Sequence, residues 1–147
     1  MQLFGEALSQ CTKLRILKLN LQNNLIGPYG VNVISYGFLN YINLNKLTLN
    51  LYNTKIGPHG LQYLSKHLAF CKNLTFLSIN VSKNNVGNFG ASSLGKGLED
   101  LKNLEYLNID LSQGNEVRVL GAQNLGSGFG NLKNYGLSQK VFFKNLV

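Results

Sequence analysis

Residues 44–60 read Leu-Asn-Lys-Leu-Thr-Leu-Asn-Leu-Tyr-Asn-Thr-Lys-Ile-Gly-Pro-His-Gly. Leu47, Leu49 and Leu51 alternate with Thr48 and Asn50, the period of two expected of a strand with one aliphatic and one polar face. Ile56 to Gly60 then reads as a turn. Ile56 tucks under the strand, the glycines supply dihedrals or close approach that other residues resist, and Pro58 fixes a torsion where a helix begins. Leu61, Leu64, Leu68 and Cys71 follow at steps of three and four, a single buried stripe of that helix.

Outward from this stretch the same unit recurs every thirty residues. Leu14/Leu17/Leu19/Leu21, Leu74/Leu77/Ile79/Val81 and Leu104/Leu107/Ile109/Leu111 repeat the strand pattern of Leu44/Leu47/Leu49/Leu51. The helical stripe returns as Val31, Ile34, Phe38 and Tyr41, and again as Ala91, Leu94, Leu98 and Leu101. A fourth helix aligns after a one-residue insertion near Gly114 to Glu116, bringing Gly121, Ala122, Leu125, Phe129, Leu132 and Tyr135 into line. Gly126, Gly128, Gly130 and Gly136 each cost about 1 kcal/mol of helix propensity relative to Ala, so this helix is expected to be short, irregular or held mainly by packing. Units that lack a core of their own gain one by stacking, which predicts an α/β solenoid with a concave parallel sheet and convex helices.

These motifs resemble the leucine-rich repeat family, ribonuclease-inhibitor-like type, whose unit is a strand, a turn with Ile-Gly and a second Gly, and a helix. The resemblance covers Leu14 to Tyr135, with Met1 to Lys13 matching the latter half of a preceding unit. The family's usual unit is about two residues shorter. Leu21, Leu51, Val81 and Leu111 add an inward position before the turn, similar to Asn-rich repeats of ciliate proteins. The family's Asn or Cys after the strand corresponds to Asn24, Thr54, Asn84 and Asn115, where a side-chain amide would satisfy backbone groups inside the bend. The expected organisation is one domain over 1–147, with a partial repeat at 1–13, repeats at 14–43, 44–73, 74–103 and 104–134, and a degenerate segment at 135–147 containing a strand candidate at Val141 to Phe143. Neither end resembles a polar cap, so an excerpt from a longer protein, or ends covered by another subunit, is expected.

Composition bounds the function. Across 147 residues the hydrophobic content is 44%, distributed periodically, with no run approaching the roughly 20 apolar residues of a membrane span. Met1 to Thr12 lacks the basic head, apolar segment and cleavage site of a secretory signal, so an intracellular, cytoplasmic location is expected, without membrane contact. Cys11 and Cys71 occupy corresponding positions two units apart and are read as buried thiols. His59 and His67 form no ligand cluster with cysteine or carboxylate, so neither a metal nor a cofactor is expected. Phosphate loops, metalloprotease histidine pairs and nucleophile elbows are missing, and no catalytic residue is assigned.

The outward strand positions form columns: Ile16, Lys46, Phe76, Tyr106; Lys18, Thr48, Ser78, Asn108; Asn20, Asn50, Asn80, Asp110; and Gln22, Tyr52, Ser82, Ser112. Adjacent members should lie about 5 Å apart. The aromatics offer contact area and the Asn column donors and acceptors, or else a self-stabilising ladder. From Ala7 to Leu98 there are nine Lys/Arg and no carboxylate, after which Glu99, Asp100, Glu105, Asp110 and Glu116 cluster. A polarity from Arg15, Lys18 and Lys46 toward Glu105 and Asp110 would orient a partner. The predicted partner-binding set is Arg15, Lys18, Asn20, Lys46, Asn50, Tyr52, Phe76, Asn80, Tyr106 and Asp110.

A noncatalytic protein-interaction or assembly scaffold, within a multisubunit complex, is the leading expectation. Net charge +8 keeps a second class open, a basic structural subunit of a ribonucleoprotein, with lysines on phosphates and aromatics on bases. The family resemblance further implies a regulatory small-GTPase-binding module, although Arg15 and Arg118 are the only arginines and neither falls in a matched motif.

Overall fold

The computed structural model describes residues 2–130, 132 and 138–142. The elements run α1 (Gln2–Ser9), β1 (Ile16–Asn20), α2 (Gly27–Tyr36) continued by a 3-10 turn (Gly37–Asn40), β2 (Lys46–Asn50), α3 (Gly57–Leu68), β3 (Phe76–Asn80), α4 (Gly87–Leu98), β4 (Tyr106–Asp110), α5 (Val119–Gly130) and β5 (Ser138–Phe142). The strands form one sheet in sequence order, every neighbouring pair parallel. A parallel pair needs a long crossover, and α2, α3, α4 and α5 supply one each. Leu17 pairs Leu47, Leu47 pairs Leu77 and Leu77 pairs Leu107, so the thirty-residue period of the sequence is the register of the sheet.

Five strands form where four were expected. β5 pairs β4 with Val141 opposite Ile109, and it starts at Ser138, ahead of the Val141 to Phe143 candidate. Met1, Tyr135, Gly136 and Phe143 lie outside the described residues. The strands are five residues long, but ladder bonds continue past them: Leu21 N–H donates to Asn50 O and Asn23 N–H to Tyr52 O, both at 2.9 Å.

The core lies between sheet and helices. Leu47, Leu49 and Leu51, with Leu61, Leu64 and Leu68, are essentially inaccessible to solvent and form one continuous cluster with their counterparts in adjoining units. Each such side chain contributes about 1.5–3 kcal/mol by leaving water. The extra inward position is real, since Leu51, Val81 and Leu111 are buried and Leu21 is half-buried. Gly57 has φ +61° with open space around it, so the turn needs glycine for its backbone conformation.

The structure corrects one sequence reading and narrows two others. Cys11, just after α1, is exposed, whereas Cys71, at the equivalent place after α3, is buried with its Sγ against Phe38 O of the preceding unit, and burial pushes its thiol up to about 12; both are free. Of the alternatives open for the fourth helix, it is full-length at twelve residues and held by packing, with Gly128 buried against the backbone of Gly95. The insertion in the fourth unit is Gly114, within the expected stretch: positive φ recurs at Asn53, Lys83 and Gln113 thirty residues apart, whereas Asn115 and Glu116 take the places of Asn84 and Asn85 thirty-one residues on.

Inside the bends runs a buried polar ladder. Asn84 Nδ2 donates to Leu51 O, Val81 O and Ser82 O, while its Oδ1 accepts from Thr54 N–H and Ile56 N–H. Asn115 repeats this against Val81 O, Leu111 O and the N–H groups of Asn84 and Val86. Thr54 joins through its hydroxyl, which donates to Leu51 O at 2.7 Å. Each amide thus satisfies carbonyls of its own unit and of the one before it. Between α2 and α3, Ser35 Oγ lies 2.8 Å from His67 Nδ1, and burial, then the Lys66 charge, holds this histidine below its ordinary pKa.

Candidate functional site

Parallel pairing in register turns the outward strand positions into rows across the sheet. Ile16, Lys46, Phe76 and Tyr106 are successive partners, as are Lys18, Thr48, Ser78 and Asn108, and Asn20, Asn50, Asn80 and Asp110. Side chains at alternate positions of a strand share a face, so these rows stand together opposite the core.

The first row carries most of the apolar area. Phe76 and Tyr106 stack with centroids 4.3 Å apart and ring planes 3° from parallel. Ile16 is 54% exposed at the other end, with Lys46 exposed between them. Neighbouring strands hold like residues at stacking distance, so two half-buried rings form one flat platform. In the second row Lys18 is exposed, and Asn108 Nδ2 donates to Ser78 Oγ at 3.1 Å.

The Asn row has a structural task that its column position alone did not reveal. Asn50 Oδ1 accepts from Tyr52 N–H, Asn80 Oδ1 from Ser82 N–H, Asp110 Oδ1 from Ser112 N–H and, more weakly at 3.3 Å, Asn20 Oδ1 from Gln22 N–H. Each side chain closes the turn two residues ahead, the local bond that makes Asn and Asp turn residues. Asp can stand where Asn does because the turn-closing bond needs only an acceptor oxygen. Burial raises the Asp110 carboxyl pKa, but bonds from the Ser112 hydroxyl and N–H and from the Ser82 hydroxyl outweigh it and hold the group below its ordinary range. Asn50 Nδ2 is also engaged, donating to Gln22 Oε1 at 2.8 Å. The carboxamides of Asn50 and Asn80 therefore offer a partner less than free amides would.

The fourth row, at the C-terminal margin, is mixed. Tyr52 is half-buried with Lys83 Nζ 5.4 Å from its ring centroid, a cation–π contact, whereas Ser82 is buried beside Ser112 and faces no partner. Lys83 was not among the residues singled out from the sequence. It sits at φ +57° in the turn, outside the alternation that marks the columns.

Arg15 is displaced from the expected set. It precedes β1 and lines, with Asn45, Thr75 and Glu105, a polar groove of about 550 Å³ at the N-terminal margin. Asn43, Asn73 and Asn103 line it too, and their thirty-residue spacing was a readable signal. Asn73 and Asn103 donate to Ile42 O and Lys72 O, again tying unit to unit. The proposed charge polarity divides accordingly: Lys18, Lys46 and Asp110 belong to the sheet face, Arg15 and Glu105 to this margin.

Among the described residues no helix is long and apolar enough to cross a membrane, and no group of three His, Cys, Asp or Glu side chains is placed to hold a metal ion. No protein-family model matches the chain, and no curated protein matches it significantly.

Proposed function

We propose that the chain is a leucine-rich repeat solenoid of the ribonuclease-inhibitor-like type, acting as a noncatalytic scaffold whose concave sheet face binds a protein partner. The observation that carries the reading is the Phe76–Tyr106 platform, flanked by Ile16, Lys18 and Lys46 on the same face. Rigid aromatic area beside exposed cations is what concentrates binding energy at protein interfaces. Lys18, Lys46 and the platform are the principal contacts, Tyr52 with Lys83 a secondary one, and Asn20, Asn50, Asn80 and Asp110 hold the turns that position them.

A photo-crosslinking residue at Ser78, on the same strand face as Phe76 and in the same row as Lys18, tests this in cells. Protein adducts are expected that the Phe76→Ala/Tyr106→Ala double variant loses. Once the adduct is identified, Phe76→Ala alone should weaken its binding by about 1–3 kcal/mol with the unfolding midpoint nearly unchanged. Adducts indifferent to both ring deletions would refute the platform. RNA adducts that weaken steeply with salt and with Lys18→Ala/Lys46→Ala would move the assignment to the ribonucleoprotein class.

A further inference from the structure

The helical side of the molecule carries a second feature, separate from the sheet face. Between α3 and α4 lies an open groove of about 460 Å³, floored by Ser65, Ala69, Ser93 and Gly97. Ser65 and Gly97 are buried at the seam where α3 and α4 pack directly on each other, so the floor is shallow and carries no bulky side chain. Tyr63 and Phe89, 39% and 49% exposed, stand at its edges. Lys66 on α3 and Lys96 on α4 occupy equivalent positions thirty residues apart, so the groove carries one cation from each helix. Both lysines are exposed, and among the described residues the sole ion pair is Lys72 with Asp100, which leaves Lys66 and Lys96 without a carboxylate.

We propose that this groove docks an acidic amphipathic helix of a partner protein, with apolar side chains on the floor between Tyr63 and Phe89 and carboxylates on both flanks reaching Lys66 and Lys96. Helix-in-groove recognition needs an apolar trough the width of a helix, and adjacent parallel helices provide one. Charge complementarity selects the acidic occupant, since the only charged side chains lining the groove are these two lysines. The floor disfavours a nucleic acid strand. Ser65 Oγ donates to Leu61 O at 2.6 Å and Ser93 Oγ to Phe89 O at 2.9 Å, so the hydroxyl protons are spent within the helices and do not read bases. Phe89 already packs against the His59 ring, 5.7 Å away at 65°, which limits its use as a stacking platform.

The test uses fluorescence anisotropy of the full chain with labelled helical peptides of about 15 residues. One has a Leu stripe flanked by Glu, one the same stripe flanked by Lys, and one the Glu composition with the stripe scrambled. Saturable binding of the first alone is expected. Lys66→Glu/Lys96→Glu should weaken it on the order of tenfold and confer binding of the Lys-flanked peptide. Ser93→Tyr, which fills the groove without changing charge, should weaken it comparably and serves if the charge reversal perturbs the circular-dichroism spectrum. Equal binding of the scrambled peptide, insensitivity to the groove variants, or displacement of the Glu-flanked peptide by oligouridine would overturn the proposal. Phe76→Ala should leave this binding unchanged, which separates it from the sheet face.

Discussion

Asn84 makes more hydrogen bonds than any other polar side chain among the described residues, with Asn115 close behind. It is 2% exposed, its amide donates to three carbonyls, and its oxygen accepts from two backbone N–H groups of the preceding unit. Asn84→Ala leaves several of these groups buried without partners and is expected to cost about 2–4 kcal/mol in urea unfolding. Thr54→Ala should cost about 1–2 kcal/mol, because Leu51 O keeps its bond from Asn84 when the Thr54 hydroxyl is removed. Asp110 makes a pH-dependent contribution. Its folded pKa lies below the ordinary 3.8, so the stabilisation is complete above that value and is lost as pH falls through the lower folded value. Asp110→Asn keeps the oxygen that accepts from Ser112 N–H. It should change stability at neutral pH by less than about 1 kcal/mol while removing this part of the acid slope, as read from denaturation midpoints across pH.

At the scale of elements, the glycines of α5 divide by environment. Gly126 faces open space, so Gly126→Ala should stabilise by about 0.4–1 kcal/mol through helix propensity and reduced unfolded-state freedom. Gly128 lies against the backbone of Gly95 in α4, and an added methyl there forces the two helices apart. Gly128→Ala should destabilise by about 1–3 kcal/mol, the cost of overpacking outweighing the same gain in propensity. Thermal unfolding of the two variants checks this, and equal shifts would contradict the α4–α5 packing.

At the scale of the molecule, each helix among the described residues packs on the helices next in order and each strand on the strands next in order. Stability is then expected to vary along the array. The β1 unit is the least covered, with Leu14, Leu19 and Leu21 only half-buried, whereas their counterparts Leu74, Ile79 and Val81 are fully buried. Amide hydrogen exchange should therefore be fastest in α1 and β1 and slowest in β3 and α4. Uniform protection from β1 to β4 would contradict this gradient.

The thirty-residue leucine period by itself determined the strand register, the helical crossovers and the inward side chains, because alternation and three-to-four spacing are local consequences of backbone geometry. The family resemblance, in turn, pointed to Asn84 and Asn115 as bend residues. Tertiary structure decided which outward residues are available. Asn50 looks free as a letter in a column, yet its oxygen and amide are both taken once the turn and the adjoining strand are in place. Arg15 left the sheet face because it lies just before the alternating stretch, in a margin built by three units together. The Phe76–Tyr106 stack and the groove between Lys66 and Lys96 likewise exist only when residues thirty apart meet across neighbouring units, a distance set by packing and invisible to any single unit.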